Sequence, residues 1–140
     1  MEKVTRGIRN KNPFNIKISN NSWLGKINVK RNTDKTFEQF RELDYGLRAG
    51  IQLLRGYIIR GFDTPQSIIS RFAPGSENDT KSYLNYICDV SLFTPDMKIR
   101  CNSIEFYRLC FAICTYESKY DLSLDKYRAV CSRFRIYNTV

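Results

Sequence analysis

Glu117 closes the most apolar stretch of this 140-residue chain, beside Tyr116. Burial there disfavours the charged carboxylate and raises its pKa. A carboxyl group kept protonated near neutral pH can give its proton to a leaving group, the general acid step that cleavage of a glycan requires. Glu77 is a second candidate acid. It lies in a polar loop just before a helix, where its ordinary role is to stabilise the helix N-terminus. Glu117 has an ordinary alternative as well, as a helix-end residue paired with Lys119 or Arg108. A further carboxylate, for activating water or attacking directly, would come from Asp79 or Asp44. The chain contains no histidine. That removes the Ser–His and Cys–His nucleophile pairs and the commonest base near neutral pH, so acid–base work falls on Asp and Glu.

Around these acids, Trp23 and Tyr45 could stack on sugar rings or belong to the core. Asn10, Asn12 and Asn15 could bond N-acetyl groups, or cap the backbone of an irregular loop. Arg48 and Arg71 are placed to pair with Glu77 or Asp79 and to fix the loop around Pro74 onto a long helix. Cys88, Cys101, Cys110, Cys114 and Cys131 form an odd set without a CxxC pair, set among apolar neighbours. They read as buried free thiols of a reducing compartment rather than a disulfide frame or zinc site. No metal and no cofactor are expected.

The elements that must position these residues follow from composition and periodicity. The length fits a single domain, 1–140, and 42% apolar with 14% aromatic residues is enough to build a core. Residues 1–36 carry nine basic and two acidic residues, so seven of the nine net positive charges lie in the first quarter. Such a field suits nucleic acid, an anionic membrane surface or the anionic polymer of a bacterial wall, or a merely solvated face. A nucleic-acid role lacks any zinc-finger, RRM or helix-turn-helix signature. No apolar run approaches a membrane span and Met1–Asn12 holds no apolar leader, so synthesis in the cytoplasm without an export signal is expected.

The runs Phe14–Ile18 and Gly25–Val29 read as a loose β-hairpin in a basic segment, 1–36, ahead of a helical core, 37–140. Phe40, Leu43, Leu47, Ile51, Leu54 and Ile58 recur every three or four residues, predicting a helix over Phe37–Arg60. The glycines at 46, 50 and 56 imply close approach of another backbone. Thr64-Pro65 opens a short helix to Phe72. A third helix, capped by Asn78 or Thr80, buries Tyr83, Leu84, Ile87 and Val90. A fourth spans Ser103–Glu117 with a capping-box-like start at Asn102 and Glu105, apolar nearly all round and therefore central. Ser123 caps a last helix. The result is a mainly α domain of about five helices with a minor N-terminal hairpin.

Three strings, taken in order, carry a resemblance. They are Arg6-Gly7-Ile8-Arg9-Asn10-Lys11-Asn12-Pro13-Phe14-Asn15-Ile16 with Trp23-Leu24-Gly25, then Gly46-Leu47-Arg48-Ala49, then Ala73-Pro74 running into Glu77-Asn78-Asp79-Thr80. Together they resemble a family of small phage and prophage virion structural proteins, some of them described as lysozyme-like. Lys11 and Phe14 depart from that family's asparagine and glycine. The stretch Ala112 to Ser118 is similar to the Ala-Ile-x-x-x-Glu-Ser turn that carries the acid of lytic transglycosylases, although there it precedes the other motifs. The resemblance implies a lysozyme-like helical fold, a peptidoglycan partner, an acid at Glu117 or Glu77, and association with other virion proteins. A non-catalytic virion or wall-binding protein on the same scaffold is the alternative.

Overall fold

The computed structural model describes residues 4–137, so Glu2 and Lys3 of the basic segment lie outside the described residues. Six helices are present among them: α1 (Arg6–Arg9), α2 (Leu43–Ile59), α3 (Pro65–Phe72), α4 (Glu77–Ser91), α5 (Ile104–Ser118) and α6 (Leu124–Arg133). The domain is mainly helical, and its only β pairing among the described residues is two isolated antiparallel bridges.

Local signals set most helix starts. Thr64 and Ser67 cap each other in a capping box with Pro65 in the first turn of α3. α4 begins earlier than expected because Ser76, not Asn78 or Thr80, accepts the free Asp79 amide. Likewise Ser103 rather than Asn102 accepts the Phe106 amide at the head of α5. Asn102 is freed for other work: it takes a left-handed φ of 61° and ties Arg55 to the Ile136 carbonyl. α5 is the central helix, burying Phe106, Leu109, Cys110, Ile113 and Cys114 between α4 and α6, with α1 against its far end.

Two expectations are corrected. The runs at 14–18 and 25–29 do not pair with each other; both flank the extended segment 36–41. The Ile18 amide donates to the Thr36 carbonyl and that of Glu38 to Ile16, while Ile27 donates to Gln39 and Arg41 to Gly25. Those same bonds explain why the long helix starts at Leu43 and not at Phe37. The backbone of 36–41 is committed to its flanks, and Gln39 is pinned by side-chain bonds to Asn10 and Thr33. The short helix α1, capped by Thr5, had no periodic signal because four residues are too few to show one.

The three glycines of α2 divide. A Cβ on Gly46 would collide with the Lys11 carbonyl and one on Gly50 with the Phe14 ring, whereas one on Gly56 would meet nothing within 4 Å. The N-terminal segment therefore packs on α2 at Gly46 and Gly50, whereas Gly56 faces open space. Gly46→Ala is expected to destabilise the fold by about 1–3 kcal/mol through overpacking. Gly56→Ala should stabilise it by about 0.5–1 kcal/mol, since only the entropic cost of a helical glycine is removed. Urea unfolding of the two variants beside the parent checks both signs.

Candidate functional site

The site is assembled on the last turn of α5. Its terminal carbonyls have no partner within the helix, and residues about a hundred positions earlier supply them. The Asn15 Nδ2 donates to the Glu117 carbonyl at 2.9 Å, and the Thr5 hydroxyl donates to that of Ser118 at 2.7 Å. The buried Ser118 hydroxyl returns a bond to the Pro13 carbonyl at 2.8 Å. Gly7 sits so close to Ser118 that no side chain would fit there. Asn12 shapes the turn that presents Asn15: its amide donates to the Ile16 and Glu38 carbonyls and its oxygen accepts from the Ile16 amide. Asn15 itself takes a left-handed φ of 51°, which asparagine tolerates better than most residues.

This arrangement leaves the Glu117 side chain half-buried on the wall of an open groove of about 600 Å³. One carboxylate oxygen accepts from the Tyr83 hydroxyl at 2.8 Å and the other from Asn15 Nδ2 at 3.2 Å. Burial pushes the Glu117 carboxyl above the ordinary range, with the Tyr83 and Asn15 bonds pulling the other way. The Tyr83 phenol is raised in turn, by burial first and then by the neighbouring carboxylate. Tyr83 lies against Tyr116, ring centroids 3.9 Å apart, so an exposed aromatic face flanks the acid. Arg71, Phe72, Pro74 and Asp79 also line the groove. Chemically, the groove offers a carboxyl group of raised pKa, an aromatic surface, an amide and one solvent-exposed carboxylate.

The residues singled out from sequence are spread over several places. Glu117, Asn15, Asp79 and Arg71 line the groove together. Glu77 is exposed in the first turn of α4, outside it. Asn10 is buried and engaged with Asp34 and Gln39, and Asn12 is wholly committed to its turn, so neither has a face left for a ligand. Trp23 packs half-buried against the core, and Tyr45 lies between the guanidinium groups of Arg41 and Arg133 beside Phe134. Neither ring borders the groove. Among the described residues, Arg48 and Arg71 make no ion pair with Glu77 or Asp79. Arg48 lies over the Phe134 ring and Arg71 over that of Phe62, where each guanidinium meets an aromatic face instead of a carboxylate. Asp44 pairs with Lys126 and Arg133, fastening α2 to α6. Phe14 fills the space beside Gly50 and meets Phe72 edge-on, so its ring belongs to the core. Tyr83 and Thr5 were not legible as members of the site: Tyr83 reads as a core residue of α4, and nothing local links either to Glu117.

All five cysteines are free; Cys110 and Cys114 are fully buried, and burial raises both thiols. No cluster of three or more His, Cys, Asp or Glu side chains suited to a metal ion occurs among the described residues, and no described helix is long and apolar enough to cross a membrane.

Comparison with known proteins points toward a bacterial virus. No protein-family model matches the chain. Over 103 residues it is 38% identical to Protein P5 of Pseudoalteromonas phage PM2. The match takes in 71% of this chain and 63% of that protein, so the chain spans less than two thirds of its relative's length.

Glu117 gives a pH dependence with a definite sign. Its folded-state pKa lies above that of the unfolded chain, so its contribution to stability is fully present below the ordinary glutamate pKa and is lost as pH rises through the folded-state value. Glu117→Gln, which cannot ionise, is expected to gain stability relative to the parent as pH rises from about 4 toward neutrality. Urea unfolding across that range measures it, and a difference flat with pH would contradict the assignment. Tyr83→Phe removes a bond to the carboxylate and should raise the Glu117 pKa further, read from the side-chain carboxyl resonance in a ¹³C NMR titration.

Proposed function

We propose that this chain is a component of a phage particle. The supporting observation is its likeness to Protein P5 of phage PM2 over most of its described length. On this reading its partners are other virion proteins and its site of action is the particle. Mass spectrometry of gradient-purified particles of the encoding phage tests it. The chain should remain at a constant ratio to the major particle protein through successive purification steps, and its removal by washing would overturn the reading.

A second reading gives the particle component an activity, and one observation favours it: a half-buried Glu117, its pKa raised by burial, lines an open groove beside stacked tyrosines. We read the groove as a seat for a strand of peptidoglycan on a lysozyme-like helical scaffold. Glu117 would give its proton to the glycosidic oxygen as the bond to the anomeric carbon breaks. The carboxylate so formed would then take the proton of the hydroxyl that attacks that carbon, either a water or the sugar's own 6-hydroxyl. The 6-hydroxyl route needs no second acid; the water route has Asp79 on the groove wall. The basic surface around Lys30, Arg31 and Arg41 supports attraction of the protein to an anionic wall.

Release of muropeptides from purified sacculi is the test. Loss of a general acid typically costs about 10²–10⁴-fold, so Glu117→Gln should cut release by at least about a hundredfold while Glu77→Gln leaves it unchanged. Full release by Glu117→Gln would overturn the catalytic reading and leave the particle role standing.

A further inference from the structure

On the face formed by the end of α4, the middle of α5 and the α5–α6 connection lies a second recess, of about 580 Å³. Val90, Leu92, Phe111, Leu122 and Leu124 give it an apolar lining. At its edge Leu92 is 89% exposed, the most exposed of the large apolar side chains on the described surface. Leu92 ends α4 with φ 58° and ψ 42°, the left-handed conformation that helix ends usually assign to glycine. The reversal itself is needed, because it turns Phe93 back into the core and lets its amide bond the Cys88 carbonyl. Nothing within the fold requires a leucine there, since its side chain touches mainly water. Two further features mark the recess as unfinished. The Ser91 hydroxyl is buried without a hydrogen-bond partner. Arg108 and Asp121 are exposed on the same recess, and neither joins an ion pair among the described residues.

We propose that this recess is the contact through which two copies of the chain pair about a two-fold axis. The reason is self-complementarity. One surface carries both an apolar projection, Leu92, and an apolar hollow beside it, so each copy can fill the other's hollow. It also carries one positive and one negative side chain. In a two-fold contact every pairing occurs twice, so an axis that sets Arg108 of one copy against Asp121 of the other neutralises all four charges. A basic or acidic peptide in the same recess would leave one of the two charges uncompensated. The contact lies on a face other than the Glu117 groove and shares no residue with it, so it stands or falls independently of the proposed activity.

Sedimentation velocity of the full chain over a range from about 1 μM to 1 mM should show a reversible monomer–dimer equilibrium. Leu92→Gly keeps the left-handed turn and removes the projection. It is expected to weaken dimerisation by at least about tenfold while the thermal midpoint of the monomer is unchanged or raised, which separates loss of contact from loss of fold. Arg108→Glu and Asp121→Arg should each weaken pairing, and the two together should restore it. A parent chain that stays monomeric throughout, a dimer indifferent to Leu92→Gly, or a double exchange as weak as the single ones would each overturn the proposal. Monomers alone are also the outcome expected if the recess receives a different protein.

Discussion

The end of α5 depends on bonds that its own sequence neighbourhood cannot make. A helix terminus leaves carbonyls without intrahelical donors, and leaving such groups buried and unpaired costs about 1–3 kcal/mol each. Here Thr5 and Asn15 supply the donors and Ser118 bonds back to Pro13, so the first turn of chain and the last turn of the central helix become one unit. The rest of the N-terminal segment follows from that docking. Its turn at 12–16 is fixed by Asn12, its outer run bridges to 36–41, and the leading part of α2 must carry glycines where Lys11 and Phe14 press on it.

The same docking sets the electrostatics of Glu117. Residues that would otherwise be loop enclose the carboxyl and push its pKa upward, while Tyr83 and Asn15 hold it in a defined direction. An acid serving only to end a helix would be more economically placed in solvent.

Charge is distributed with a comparable logic. The acids near the N-terminal segment are spent inside it. Asp34 is enclosed, held well below the usual carboxylate range by Arg6, and also accepts from Asn10 and the Phe37 amide. Glu38 is buried against Lys26. Lys17, Lys30, Arg31 and Lys35 make no ion pair among the described residues, so the segment presents positive charge outward even though its internal structure is built on carboxylates.

Helix type, order and most boundaries were legible because periodicity and caps are local: Thr64 with Pro65, the apolar spacing of α2 beyond Leu43, and the all-round apolarity of α5 act within a few residues of themselves. The apolar surroundings of Glu117 were legible for the same reason. What tertiary structure alone decided was every relation between distant segments. The 36–41 run fitted helical spacing but became extended because its backbone found partners on two sides, and Asn12, Trp23 and Tyr45 became internal or peripheral because their neighbours came from elsewhere in the chain. Tyr83 reached Glu117 across 34 positions and Asn15 across 102. Hydrogen bonds and desolvation act over a few ångströms of space and are indifferent to sequence separation, so a single chain read alone carries the propensity of each segment but not its partner.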